Sequence, residues 1–461
     1  MSGPVVPASP LLQMPIRQAI WSLARPTIAL GILRSSYFLA NSFWISKMGE
    51  KGLAAIGGCA FATWITYALM DIAATGVYSQ VAQATGAGDR GRVRNILGQG
   101  LVLASVVGVL ISLLIFTGTD QYLTLLGVQD AEVRRLSLEY MHYMAWSAVP
   151  LTWFNTLTSA FRGLGNARAP LWMYGFTLVF NAVVDPFLIS GFGGWSGMGI
   201  SGAAMATLLA HLLGIAASLS LLRSEQAWPT LQTFKASALL PLASIGTPIA
   251  VSGAGFSLVY VLLGQVVNRF GPEAMAAVGL GHRLESTVFL VTIGFQVATT
   301  TLVGQWIGAG SPQEALNASR QVRREMIRVV LPVGLVLMGV APWVIRLFST
   351  EPAVVHLGSW YLYLTGGTAV LMGLEVIYEG AFSGVGRTLA PLLIAFPLTL
   401  ARVPLAWFLA VNMELGAVGV WWAIATSTIL KGLLMMGWFE RQGWMKGAPV
   451  SQAAQQDPRN D

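Results

Sequence analysis

Val81-Ala82-Gln83-Ala84-Thr85-Gly86-Ala87-Gly88 returns as Val303-Gly304-Gln305-Trp306-Ile307-Gly308-Ala309-Gly310, 222 positions later. The same ungapped offset carries Pro26 onto Pro248, Gly49 onto Gly271, Ala54-Ala55 onto Ala276-Ala277 and Gly57 onto Gly279. A second register, 221 positions apart, pairs Phe161-Arg162-Gly163-Leu164-Gly165 and Pro170 with Phe382-Ser383-Gly384-Val385-Gly386 and Pro391. The matches concentrate at Gly, Pro and Gln, where backbone geometry and close helix contact are decided. The chain is a duplication. In an apolar chain that is a transporter signature, with the substrate site expected between the repeats.

Composition places the chain in a bilayer. Of its 461 residues 55% are hydrophobic and 10% charged, against about a quarter charged in soluble domains; the mean hydropathy is +0.65. Apolar runs of about 20 residues, long enough to cross the hydrocarbon as helix, recur along the whole length. Twelve spans are predicted, at about 23–46, 53–79, 96–117, 137–161, 169–190, 198–222, 240–268, 275–304, 326–348, 358–383, 389–411 and 415–438. Six fall in each half. An even number makes both halves enter from the same side, so the repeats are parallel.

Orientation follows from Lys and Arg. With a cytoplasmic N-terminus, the inner segments hold Arg17, Arg90, Arg92, Arg94, Arg162, Arg168, Arg223, Lys235, Arg320, Arg323, Arg324, Arg328, Arg387, Arg441, Lys446 and Arg459. The outer loops hold only Lys47, Lys51, Arg134, Arg135, Arg269 and Arg346. This bias puts both termini inside and accounts for the formal charge of +7 without a nucleic-acid partner. The expected organisation is a cytoplasmic tail at 1–20, a six-helix bundle at 21–223, a linker at 224–238, a second bundle at 239–440 and a tail at 441–461. Residues 1–15 lack a positive n-region and cleavage site, so no signal peptide is expected.

Loops this short leave no room for a soluble catalytic domain. The single Cys59 excludes an internal disulfide and any multi-Cys metal site. His142, His211, His282 and His356 each stand alone in their helix or loop, so no nucleophile or metal constellation of an enzyme forms, and no cofactor is expected.

Four stretches carry a family resemblance: 83–94 with its twin 305–315; 161–170 followed by Asn181-Ala182-Val183-Val184-Asp185-Pro186; 199–207; and 387–391 followed by 416–421. Together they make the chain similar to the multidrug and toxic compound extrusion (MATE) transporters over residues 20–440. The resemblance implies an all-α membrane protein, two pseudosymmetric six-helix bundles around a central cleft. It also implies alternating-access export of bulky, often cationic, organic compounds in exchange for H⁺ or Na⁺. The expected setting is the inner (plasma) membrane, as a monomer in the lipid bilayer. A flippase for a lipid-linked sugar or cell-wall precursor is the nearer alternative, but it should carry more intramembrane Arg and extra helices. A membrane-embedded enzyme is the remote one.

Charges inside membrane helices are the functional candidates, because each is costly unless paired or wet. Asp71, Asp185, Glu375 and Glu379 are the acidic set; Arg34, Arg283 with Glu285, Arg402 and Lys431 are the basic or mixed set. Asp185 leads. It follows Asn181 by one turn on the same face, and Pro186 after it removes a backbone donor. In MATE proteins whose N-terminal bundle holds the coupling site, the positions matching Asn181, Asp185 and Thr207 contribute to it, and by that resemblance these three would hold Na⁺ if Na⁺ is the ion. The alternative is that Asp185 neutralises a buried arginine such as Arg34.

The chain departs from the family at Asn41, where many members carry an aspartate. An amide cannot release a proton, so a two-carboxylate site there cannot operate. Arg34, two turns earlier, is then a candidate charge partner for Asp185 or Asp71. The seventh-helix glutamate of some members is also missing from 251–256. Glu375 and Glu379, four apart beside Tyr378, offer a rival proton site, or a structural network closed by Arg402 or Lys431. Arg283 and Glu285 read as a structural pair, and His211 as a satisfied polar group. Pro26, Pro186, Pro248 and Pro397 are the expected hinges.

Overall fold

The computed structural model describes residues 9–46, 49–191, 193–231 and 236–445, apart from the side chains of 37–46, 49, 53, 61 and 445. Among the described residues there is no strand. After a helical turn at Pro10–Gln13 come α1 (Ile16–Ser46), α2 (Gly49–Gly86), α3 (Arg90–Leu125), α4 (Ala131–Gly163), α5 (Arg168–Ser190) and α6 (Ile200–Ser224). The second half holds α7 (Leu239–Asn268), α8 (Pro272–Gly308), α9 (Pro312–Arg346), α10 (Pro352–Val385), α11 (Leu389–Asn412) and α12 (Ala417–Glu440). Ten of these are long and apolar enough to cross a membrane. The other two, α1 and α4, fall outside that set among the described residues.

Several helices overrun the predicted spans. The second was expected at 53–79 and runs 38 residues from Gly49, about 57 Å at 1.5 Å per residue against roughly 30 Å of hydrocarbon. Hydropathy marks only the part in lipid; the polar ends continue as helix into water. The eleventh span, expected as one helix, is interrupted at Ala401 and finishes in a π-helical turn, Phe408–Asn412. Pro397 and Pro404 each lack the N–H that would bond the carbonyl four residues back, which loosens this helix.

The duplication is visible in contacts. Gly88 (φ 72°) and Gly310 (φ 73°) end the quoted octapeptides in left-handed turns, closed by Asp89 N–H on Ala84 O and Ser311 N–H on Trp306 O, both at 3.0 Å. A Cβ on Gly163 would lie 2.9 Å from Tyr78 O, and one on Gly384 would lie 2.7 Å from Thr300 O. The two carbonyls are themselves 222 positions apart. Glycine lets α4 meet α2, and α10 meet α8, at the same point.

Contacts group the chain into an amino unit, Ala29–Thr85 with Asp89–Ala250, and a carboxyl unit, Met1–Ile28 with Gly86–Gly88 and Val251–Asp461. The first helix of each repeat therefore divides between units, just beyond Pro26 in α1 and Pro248 in α7. In the carboxyl unit the start of α1 lies on α8: a Cβ on Gly294 would come 3.0 Å from Ala24 O, and Trp21 packs edge-on to Phe295 at 5.5 Å. In the amino unit the start of α7 lies on α2: a Cβ on Gly246 would come 2.0 Å from Ile72 O. Under the 222 offset Ala24 matches Gly246 and Ile72 matches Gly294. The exchange is reciprocal.

The linker segment after α6 packs back on α3, with Thr230 N–H on Arg94 O at 3.0 Å and Arg94 Nε on Trp228 O at 3.3 Å. In the loop before α4, Asp130 caps the helix by accepting from Glu132 N–H at 2.8 Å and Val133 N–H at 3.0 Å. The Val133 N–H, then Lys51 at 3.2 Å, hold the Asp130 carboxyl below its ordinary pKa.

Candidate functional site

Each unit carries its own polar cluster inside apolar helices. In the amino unit the seam between α5 and α6 is tight at two points. A Cβ on Gly202 would meet Leu188 O at 2.3 Å, and one on Gly214 would meet Thr177 Cγ2 at 2.9 Å. Between those points lie Asn181 and Asp185 on α5 and Thr207 and His211 on α6. Asn181 is 3% exposed and Asp185 1%. The Asn181 Oδ1 is buried and has no hydrogen-bond partner among the described residues. Pro186 also leaves the Ala182 carbonyl without its usual helical donor. The result is an oxygen-rich spot where polar groups would otherwise be satisfied.

Around it, Thr207 donates its hydroxyl to Ala203 O at 3.0 Å, and His211 Nδ1 lies 2.6 Å from Thr207 O. The expectation of a satisfied His211 fits this contact. Its ring stands edge-on to Phe154 at 5.1 Å, and Phe154 to Tyr174 at 4.8 Å. Arg34 lies over Tyr174, 4.5 Å from the ring centroid, a cation–π contact. Asp71, half-buried on α2, accepts from Asn155 Nδ2 at 3.2 Å. Asn41 lies in α1, but its side chain falls outside the described residues.

The carboxyl unit answers with closed pairs. Lys431 Nζ lies 2.6 Å from Glu375 Oε1, and Lys431 is almost wholly buried. Gln296 Nε2 donates to Glu379 Oε2 at 3.2 Å. The two glutamates share a face of α10 as expected, yet each has a partner from another helix. Arg402, 3% exposed, gives Nε to Ser427 Oγ and Nη2 to Thr428 Oγ1, the latter at 3.1 Å.

Two sequence expectations need correction. Glu285 does not pair with Arg283; it accepts from Tyr361 Oη at 2.6 Å and faces His282 at 3.5 Å. Residues two apart on a helix point to different sides. Tyr378 turns away from the α10 glutamates and donates to Glu440 at 2.6 Å, where Arg323 also binds. Sequence reasoning missed Asn155, Gln296, Ser427 and Thr428. The last two had a signal, since they lie one turn after Ile424 on a helix that must face the buried Arg402.

Comparison with known proteins gives one family. MatE matches residues 26–187 and again 248–408. A probable multidrug resistance protein NorM of Thermotoga maritima is 26% identical over 440 residues, 95% of each chain. An FAD transporter of Shewanella oneidensis is 27% identical over 403 residues, 86% of this chain and 88% of its own. Among solved structures, a MATE protein in the bent conformation superposes with a TM-score of 0.87 at 24% identity, covering 95% of this chain and 98% of that one. A MOP superfamily transporter from Pyrococcus furiosus gives 0.85 at 23% identity, over 94% and 97%.

Proposed function

Because the chain belongs to the MatE family of multidrug efflux transporters, we propose that it exports bulky, often cationic, organic compounds in exchange for H⁺ or Na⁺. It is a multi-pass membrane transporter, not an enzyme. The reading places it in the inner membrane with both termini cytoplasmic, acting as a monomer. The moving parts are the expected bundles at 21–223 and 239–440, joined by 224–238 and flanked by tails at 1–20 and 441–461, except that 21–28 and 239–250 each group with the opposite unit.

The observation that carries the coupling site is the buried Asp185–Asn181 pair with its unpartnered amide oxygen. An ionised Asp185 attracts an organic cation. A proton on it, or Na⁺ among the oxygens of Asp185, Asn181 and Thr207, cancels that charge and releases the cation. Ion and solute thus compete for one carboxylate, which is what exchange needs. Asp71, with Arg34 nearby in the same unit, tunes access to the site. Asn41 cannot share the proton, so a single carboxylate carries the exchange. Glu375 is held by Lys431, and Glu379 by Gln296, which makes the carboxyl unit the weaker coupling candidate.

The test is reconstitution of the full chain into liposomes with a fluorescent organic cation under a proton gradient, then a Na⁺ gradient. Movement driven by one gradient names the ion. Folded protein that moves the dye under neither overturns the reading.

A further inference from the structure

Arg402 is a buried cation that the exchange chemistry leaves unused. It lies in α11 directly after the break at Ala401, and the same helix ends in a π-helical turn; such irregular turns gather at functional positions. Its Nε and Nη2 are anchored on Ser427 and Thr428 of α12. Ser427 donates its own proton to Ile424 O at 3.0 Å, so it offers the guanidinium a lone pair only. These hydroxyls fix the plane of the fork but carry no charge. The Nη1 is buried and has no hydrogen-bond partner among the described residues.

No carboxylate lies within ion-pair distance of Arg402 among those residues; its further polar neighbour is Tyr260 of α7, a neutral hydroxyl, and the three glutamates within the membrane helices of this unit have other partners. Glu375 is bound by Lys431, Glu285 by the Tyr361 hydroxyl, and Glu379 by Gln296. The Phe256 ring, 6.0 Å from the guanidinium carbon, adds an apolar wall. Arginine stays charged in any protein setting and presents N–H groups in a plane that suits an oxyanion. A desolvated cation without a counter-charge is strongly unfavourable, and inside a membrane protein it marks a binding role.

We propose that Arg402 receives the carboxylate or phosphate of a transported compound, so that the carboxyl unit selects solutes bearing an acidic group. This rests on the exporter reading above and adds a solute class to it.

The probes are a rhodamine with a free carboxylate and the methyl ester of the same dye. Their binding to the purified full chain is followed by fluorescence anisotropy. The wild type should bind the free acid roughly tenfold or more tightly than the ester, one to two charge-assisted hydrogen bonds' worth. Arg402→Gln should erase that preference and leave ester affinity unchanged; Arg402→Lys should keep part of it. Should Arg402→Gln fail to fold, Thr428→Val, which frees one anchor of the fork, should narrow the preference. Equal wild-type affinity for the two dyes overturns the assignment, as does an undiminished preference in Arg402→Gln. Inorganic phosphate alone that stabilises the wild type but not Arg402→Gln, with no acid preference between dyes, places a free anion there and also overturns it. Liposome transport keeps the two readings apart. An ester that moves without any acid preference sinks only this inference, and dyes that never move sink the exporter reading.

Discussion

Positions that the duplication makes equivalent carry opposite chemistry in the two halves. Under the 221 offset Asn181 matches Arg402 and Asp185 matches Ala406, so the buried charge at these places is acidic in one unit and basic in the other. The next helices repeat the contrast. With Gly199 aligned on Gly416, Gly214 matches Lys431, and Phe154 matches Glu375. In the amino unit a Cβ on Gly214 would come 2.5 Å from the Phe154 ring. In the carboxyl unit the same two places hold a 2.6 Å ion pair. Backbone contacts, by contrast, are kept, as Gly163 on Tyr78 and Gly384 on Thr300 show. Helix packing tolerates little change in volume at such points, whereas side-chain polarity can be exchanged pairwise. The two halves share a scaffold and divide the chemistry.

The largest effect should come from the acidic side. Asp185→Asn should bring gradient-driven efflux in liposomes to background with protein yield unchanged, while Glu379→Gln keeps most of it. Normal export by Asp185→Asn would move coupling to the carboxyl unit.

Next comes the exchanged pair. Lys431→Met strands a partly buried Glu375 and should cost about 3–5 kcal/mol in thermal unfolding in detergent. Glu375→Phe combined with Lys431→Gly copies the amino unit and should recover most of that loss. A double variant no more stable than the single one would show that the two pockets are not interchangeable.

The conserved backbone contacts should respond alike. Gly163→Ala and Gly384→Ala each push a methyl group to under 3.0 Å from a carbonyl oxygen, and each should cost about 1–3 kcal/mol. A large difference between them would limit how far the repeat packing is shared. The smallest effect separates the helix starts after the repeated octapeptides. Asp89 caps α3 by accepting from Arg92 N–H at 2.8 Å, whereas Ser311 at the matching place makes no side-chain cap. Asp89→Ala should cost about 1 kcal/mol, and Ser311→Ala should be close to neutral.

Much of this was readable in one dimension. The octapeptides, Gly163 with Gly384 and the apolar runs specify twelve helices in two repeats, because packing glycines and hydrophobic length are local properties. The proposal of Asp185 also rests on a local signal, with Asn181 and Pro186 beside it. Partners from distant helices were not readable: Asn155 reaches Asp71 across 84 positions, and nothing local in α2 announces it. Lys431 was one of two cations offered for Glu375, and only packing chooses between it and Arg402. The break at Ala401 was hidden because Pro397 and Pro404 lie in a run apolar enough to read as one span. The division of α1 and α7 between units was hidden too, since continuous helix gives no sign of which neighbour each end meets.

That division sets an order of biogenesis. The face of α2 at Ile72 is covered by the start of α7, so the amino unit cannot be completed until the ribosome has passed residue 250. The start of α1, made first, finds its seat on α8 only after Gly294 has been translated and inserted. A nascent chain halted in the linker would leave the translocon with one helix end unseated and one helix face bare. Neither half is a complete folding unit, although each is a complete repeat.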